Sequence, residues 1–375
     1  MVLFLEHRYY GKSMPFGNYT SRRLSNYRYL NVGQILADYA SFIDHIRMTI
    51  DGAQLSPVII IGGSYGGMLA AWFRIKYPHL SVGALASSAP FLHYPNIYDC
   101  ENYYRIVTEN YSNYSKSCSK SIKQSWPAIR RLAETKVGRE FLTKQFNLCK
   151  ILSPEQLESL IHYIAFVWAV LPLKDNSRSS YPIKKVCKYL TEPISNDGKL
   201  IKSIAKALSV YNEENKQCKQ LDENNNNKHF KIDPWDIQTC TEIPLPLCSD
   251  GVDDMFELNE WTIEKFSNYC QKKYGINPDP YKLLKKYGGK NIRHKATNII
   301  FSNGLKDPWS AGSVLESLSD TLIAIKIPGA CHCEDLLSET LNDTKTVLDA
   351  RDQELQIIRG WLETYYEKKN IDFEF

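Results

Sequence analysis

Residues 59–73, IIIGGSYGGMLAAWF, set one serine among four glycines, directly after a β-branched run and directly before a helix-forming stretch. The run PVIIIG (57–62) reads as a buried strand. MLAAWFRIKYP reads as a helix that must end near Tyr77, because Pro78 restricts the residue before it. Gly62-Gly63-Ser64-Tyr65-Gly66 satisfies G-x-S-x-G in the strand–turn–helix setting that a nucleophile elbow needs. Such an elbow strains the backbone at the serine and brings the next helix close to the strand, so bulky neighbours would clash. The helix then aims its N-terminus at Ser64, and the Tyr65 N–H is placed to donate to an oxyanion. A tight turn without chemistry would fit the bare pentapeptide equally well. The setting favours the nucleophile.

The rest of the chain alternates in the same manner. VLFLE (2–6) reads as a strand ended by a polar loop. From Asn31, the residues Val32, Ile35, Leu36, Tyr39, Phe42, Ile43 and Ile46 recur at helical period. VGALASSAP (82–90) is a strand running into a turn. Strand patterns return at TNIIFSNG (297–304) and LIAIKIPG (322–329), and residues 347–366 carry a helical apolar stripe. This order predicts an α/β fold with a parallel sheet covered on both faces. Residues 93–295 differ, being rich in Tyr, Lys, Asn and Cys, with a polar loop ENNNNK at 223–228. They are expected to form an inserted cap over the carboxyl ends of the strands, where open α/β sheets carry their sites. The core is then 1–92 plus 296–375.

A net charge of +4, from 46 basic and 42 acidic side chains, gives no reason to expect a nucleic acid or membrane partner. The run IHYIAFVWAVLPL (161–173) is too short to span a bilayer and reads as a buried helix. Eight of the ten cysteines lie between Cys100 and Cys270, and none precedes residue 100. They show no CxxC spacing and no paired histidines, so neither a metal nor a cofactor is expected. An even number in one segment points to disulfides made in an oxidising compartment. Sequons at Asn18, Asn110, Asn113 and Asn342 agree with that. The opening MVLFLEHRYYGKS conflicts with it, having no basic n-region, long apolar h-region or cleavage site.

A serine hydroxyl needs a base, and the base needs an orienting carboxylate; with this elbow they follow in the order Ser, Asp or Glu, His. After the insertion, the first acid following a strand is Asp307, in FSNGLKDPW, and the next strand runs into IPGACHCEDL with His332. Both fall in loops after strands, where three groups can converge. His294 precedes its strand and His229 sits in the polar loop, while Asp320 and Asp335 are rival acids. Asp307 alone could equally be an Asx-turn residue before Pro308.

At these residues the chain resembles the prolylcarboxypeptidase and dipeptidyl peptidase II family of serine exopeptidases. EHRYYGKSMPFG, GGSYGGMLAAWFRIKYPH, CTEIPLPLCSDGVDDMFE and NIIFSNGLKDPWSAG carry the resemblance, which covers essentially the whole chain. The third motif is nearer to the carboxypeptidase branch. The resemblance implies an α/β-hydrolase fold with a helical cap, and Ser64, Asp307 and His332 as nucleophile, acid and base. It also implies an apolar pocket for a proline ring, bounded by Met68, Trp309 and Met255, although three such side chains are equally ordinary core packing. Disulfides Cys100–Cys248, Cys118–Cys187, Cys149–Cys218 and Cys240–Cys270 follow from it, leaving Cys331 and Cys333 free. So does a lysosomal or secreted location and a peptide substrate with proline near one end. Assembly as a homodimer is left open, and so are dipeptidyl peptidase and esterase or lipase chemistry on the same fold.

The chain departs from the family pattern in two places. Members of the carboxypeptidase branch carry a second histidine after the catalytic one and an arginine closing the stretch. Here the run is His332-Cys333-Glu334-Asp335-Leu336-Leu337, which puts the recognition of a terminal carboxylate in doubt. In related enzymes strands and a glycine-rich oxyanion loop also precede the segment like VLFLEHRYYG, so the chain is expected to be N-terminally truncated. A missing central strand would leave backbone groups unpaired at a cost of ~1–3 kcal/mol each. A lost oxyanion donor would slow the reaction ~100- to 1000-fold. A catalytically impaired product is the corresponding expectation.

Overall fold

The computed structural model describes residues 1–211, 217–221 and 232–369. The ENNNNK loop and His229 lie outside them. Four parallel strands form the sheet, in the order β1 (Ile59–Gly63), β2 (Gly83–Ser87), β3 (Ile299–Gly304) and β4 (Leu322–Ile327). The register pairs Gly63 with Ser87, and Ser87 with Ser302, so the carboxyl ends of β1, β2 and β3 finish side by side. The strands are largely apolar, as expected of a parallel sheet packed between helices, with β2 and β3 buried along their whole length and β1 the most exposed.

On one face pack α1 (Val32–Thr49) and α2 (Tyr65–Lys76), which bury Ile35, Leu36, Trp72 and Phe73 against Ala84, Ile299 and Phe301. Asn31 caps α1 by accepting a hydrogen bond from Gln34 N (2.9 Å). Pro78 ends α2, whose last helical residue is Lys76. Helices α3 (Asn102–Tyr114), α4 (Lys116–Ala133), α5 (Lys136–Gln145), α6 (Leu157–Val170), α7 (Pro182–Cys187), α8 (Asp197–Ser209), α9 (Pro234–Thr241), α10 (Ile263–Tyr274) and α11 (Lys282–Tyr287) all fall between β2 and β3. Helix α12 (Lys345–Lys369) covers the other face, where Val347 and Ala350 meet Leu85, Ile300 and Ile325.

The helices between β2 and β3 have an apolar centre of their own, in which Trp126 and Trp168 are almost fully enclosed. With its flanking 3-10 turns, α6 belongs to a helical stretch of 21 residues, Pro154–Lys174, with an 18-residue window of mean hydropathy 1.3. That is longer than its apolar run alone indicates, and Leu160, Ile164, Val167 and Trp168 bury its inner face in this centre. Four disulfides brace the segment, joining Cys100 to Cys248, Cys118 to Cys187, Cys149 to Cys218, and Cys240 to Cys270.

One expected element is absent. Residues 2–6 form no strand and lie exposed, Phe4 almost completely so. A strand exists only through a hydrogen-bonded partner. VLFLE borders a groove of about 680 Å³ that separates it from the outer edge of β1, so its backbone gains no ladder. The same groove leaves Ile61 on β1 57% exposed.

The Cys118–Cys187 bond ties α4 to α7 at the cap centre. Replacing both cysteines by alanine is expected to lower stability by about 2–4 kcal/mol, read as a fall in Tm by calorimetry without reductant. An unchanged Tm would show that packing alone holds these helices.

Candidate active site

The elbow has the strained geometry its glycines suggested. Ser64 sits at φ 59° and ψ −126°, outside the regions that L-residues favour. Its N–H donates to Ser87 O on β2 (2.9 Å), and its carbonyl accepts from Met68 N (3.1 Å), opening the ladder of α2. The Tyr65 N–H therefore belongs to the unladdered first turn of a helix, free to point at a developing negative charge. The Tyr65 ring is tethered on its far side. Its hydroxyl accepts from Gln238 Nε2 of α9 (2.8 Å) and lies 3.2 Å from His7 Nε2.

Asp307 follows β3 and is fully buried. Its two oxygens do different things. Oδ1 accepts from Trp309 N (3.0 Å), closing a turn at Pro308, while Oδ2 accepts from His332 Nδ1 (2.7 Å). One carboxylate thus closes the turn and holds the imidazole ring at the same time. The residue before it is pinned as well: Lys306 pairs with buried Asp175 (2.8 Å), and Lys306 O accepts from Asn110 Nδ2 of α3 (2.8 Å).

His332 lies in the loop after β4. Gly304 lets that loop approach β3, since a Cβ there would sit 2.5 Å from the carbonyls of Ala330 and Cys331. Glu334 Oε2 accepts from Cys331 N (2.8 Å), and Ser88 Oγ accepts from Cys333 N (2.8 Å). Cys333 takes the left-handed conformation at φ 52° and packs on the elbow, where a Cβ on Gly63 would lie 2.8 Å from its sulfur. The histidine loop thus lands on the serine turn. Among the described residues no hydrogen bond joins Ser64 Oγ to His332, an arrangement that commonly tightens only when substrate is present. Burial alone would push the His332 pKa down, but the Asp307 carboxylate reverses this by charge and hydrogen bond and raises it. Such an imidazole is the stronger base in its neutral form and keeps its proton to higher pH than a free one.

The rivals go elsewhere. Asp320 and His294 are exposed, and Asp335 is buried against Ser87 rather than His332. Trp309 borders a cavity of about 380 Å³ together with Tyr103, Tyr104, Trp126 and Phe256. The expected three-sided pocket is not formed: Met255 is buried in the apolar centre of the helices between β2 and β3, Met68 in the packing of α2, and neither borders that cavity. Asn18, Asn113 and Asn342 are exposed, whereas Asn110 is buried with its amide bonded to Ile106 O and Lys306 O, which leaves that nitrogen no room for a glycan. Cys331 and Cys333 are free thiols. The sequence reading passed over Ser87, Ser88 and Glu354. Glu354 carried a signal, as a charged residue on the apolar stripe that also holds Val347, Ala350, Ile357 and Trp361.

Comparison with known proteins gives a consistent picture. Residues 1–354 match the family model described as Serine carboxypeptidase S28. The chain is 41% identical over 377 residues to the lysosomal Pro-X carboxypeptidase of Homo sapiens, covering 98% of this chain and 76% of the relative. It is 32% identical over 390 residues to prolyl carboxy peptidase like protein 5 of Caenorhabditis elegans, covering 96% and 76%. Against the thymus-specific serine protease of Mus musculus the identity is 27% over 390 residues, covering 96% and 74%.

The divided role of Asp307 yields a test. In Asp307→Asn the amide oxygen can still accept from Trp309 N, but the amide nitrogen then faces His332 Nδ1 and forces the wrong tautomer. We expect kcat to fall by roughly 10³–10⁴-fold with KM and Tm little changed. A loss below tenfold would show that the carboxylate does not orient the base.

Proposed function

The chain belongs to the S28 family of serine carboxypeptidases, a serine-type hydrolase family, and we propose that it is an exopeptidase cutting the bond that follows a proline through an acyl-enzyme on Ser64. His332 takes the Ser64 proton as the oxygen attacks the proline carbonyl. The Tyr65 N–H donates to the oxyanion, and the imidazolium passes its proton to the departing amine. A water activated by the same imidazole then releases the acyl group. Asp307 keeps the proton on Nδ1 and stabilises the imidazolium between the two transfers.

The observation that carries this reading is the Asp307–His332 hydrogen bond, in a loop that packs through Cys333 onto the strained serine turn. Proline specificity draws support from Trp309, two residues from the acid, which borders a cavity with the aromatic side chains of Tyr103, Tyr104 and Phe256. The carboxyl-end preference and the lysosomal or secreted setting rest on the named relatives. Four disulfides and the exposed sequons at Asn18, Asn113 and Asn342 accord with that setting.

An N-blocked Pro-Phe dipeptide with a free carboxylate should be hydrolysed, and its C-terminal amide should be a poorer substrate. Ser64→Ala should lower kcat by at least about 10⁴-fold. Turnover that survives this substitution would refute the nucleophile. Faster hydrolysis of simple acyl esters, indifferent to proline, would identify an esterase instead.

A further inference from the structure

Three residues after His332, the chain sends the Asp335 side chain down between β2 and β3. There Ser87 Oγ donates to Asp335 Oδ1 (2.6 Å), while Ser302 Oγ donates to Glu354 Oε1 of α12 (2.6 Å). Ser87 and Ser302 are register partners on β2 and β3, so the two carboxyl groups they hold are brought together, Asp335 5% and Glu354 4% exposed, beside the apolar cluster of Leu85, Ile300, Ile325 and Val347. Asp335 Oδ2 has no donor among the described groups, although it is fully enclosed. A buried carboxylate oxygen facing another carboxyl group is satisfied only if one of the two carries a proton.

We propose that Asp335 and Glu354 share one proton and form a clasp that positions the His332 loop, engaged in acid and released as the medium becomes alkaline. This rests on His332 being the base, and it adds a pair of positioning residues to that reading. Ser87 joins the two halves. Its carbonyl accepts the Ser64 N–H and its hydroxyl holds Asp335, so the clasp ties the base-bearing loop to the strand that fixes the nucleophile. Next to it, Ser88 Oγ accepts the N–H of Cys333.

The other charges around the pair are committed. Arg351, one turn before Glu354 on α12, donates to the carbonyls of Asp335 (2.8 Å) and Glu334 (3.0 Å) and to the Asp343 carboxylate (2.6 Å). Glu334 is taken by Cys331 N, and Asp307 by His332. Arg351 pulls the Glu354 pKa down to a lesser degree. Burial first, and then the charge of Asp335, raise it to about 8, and burial also raises that of Asp335. The folded chain therefore holds this proton more tightly than the unfolded chain does. The contribution of the clasp is whole below the ordinary carboxyl range and is lost as the pH rises through about 8. Above that, two adjacent buried carboxylates repel and the loop loses its anchor.

The test compares kcat, KM and Tm across pH for the full-length protein, Glu354→Gln and Asp335→Asn. Either amide can donate to the remaining carboxylate at every pH and still accept from its serine. Wild type should lose kcat above an inflection near pH 8, with KM little changed, and should lose Tm over the same range. In both amide variants that inflection should move up by at least about one pH unit. An inflection at the same pH in all three proteins would overturn the proposal. Should the variants fail to fold, the infrared carbonyl band of a protonated buried carboxylic acid should be present in wild type at about pH 6 and absent at about pH 9.5. Its absence at the lower pH would overturn the proposal as well. The band depends on neither Ser64 nor turnover, so failure of the peptidase reading and failure of the clasp are separately visible.

Discussion

The serine turn is held in a backbone conformation that costs on the order of 1–3 kcal/mol and persists only because its surroundings over-determine it. The decisive restraint is one hydrogen bond, from Ser64 N to Ser87 O. It exists because β1 and β2 are in register to their last residues, with Gly63 opposite Ser87. Register in a sheet covered on both faces is strongly specified by the apolar residues of its strands. The placement of a single hydroxyl thus descends from Ile59, Ile60, Ala84 and Ala86, none of which touches the chemistry. The same register carries β3 alongside, so that Asp307 emerges within reach of the loop after β4.

Two scaffolds converge on the acid. The sheet delivers Asp307 at the end of β3, but the helical segment between β2 and β3 holds it there, through Asn110 on the carbonyl of Lys306 and Asp175 on the Lys306 ammonium. Trp309 continues the link by stacking edge-on against Tyr103 of α3 at 4.8 Å. A cap that loosened would therefore disturb the acid and the cavity beside it together. This gives the disulfides a role beyond general stability. Cys100–Cys248 ties down the segment that begins α3, which carries Asn110, and Cys118–Cys187 ties down α7, which follows Asp175 in the chain.

Much of this was legible in the residues. Strands β2, β3 and β4 lie within the segments that announced them and β1 runs one residue beyond its own, at Gly63, because largely apolar β-branched runs of this length favour buried strands, and Asn31 and Pro78 mark helix ends by local chemistry. The failure at VLFLE is instructive, since its composition is as strand-like as that of β4. What it lacks is an edge within hydrogen-bonding reach, since the groove holds it off β1, and pairing is not a property of the segment. The cysteines illustrate the same limit. Eight cysteines allow 105 connectivities, and only the family resemblance singles out one set. Asp307 was ambiguous between a turn residue and an acid because each role uses a different oxygen. Glu354 escaped notice because a carboxylate on an apolar stripe reads as a flaw in the pattern until its partner, 19 positions away in the chain, is seen beside it.

The departure at Cys333 and Leu337 now has a physical setting. Without a histidine and an arginine in the loop itself, its carbonyls at Glu334 and Asp335 are covered by Arg351, which reaches over from α12. The loop is thus fastened from outside, by one helix that supplies both the cation for its backbone and the carboxyl partner for Asp335. Cys333 occupies its place with a small side chain that rests on Gly63 and against the imidazole, filling space without bringing a second positive charge. The proton affinity of the imidazole is then set by three neighbouring effects: its own burial lowers it, while the Asp307 carboxylate and, after it, the Cys333 sulfur raise it. The geometry of a loop that bears the base is then governed by α12, an element that contributes nothing to the reacting atoms.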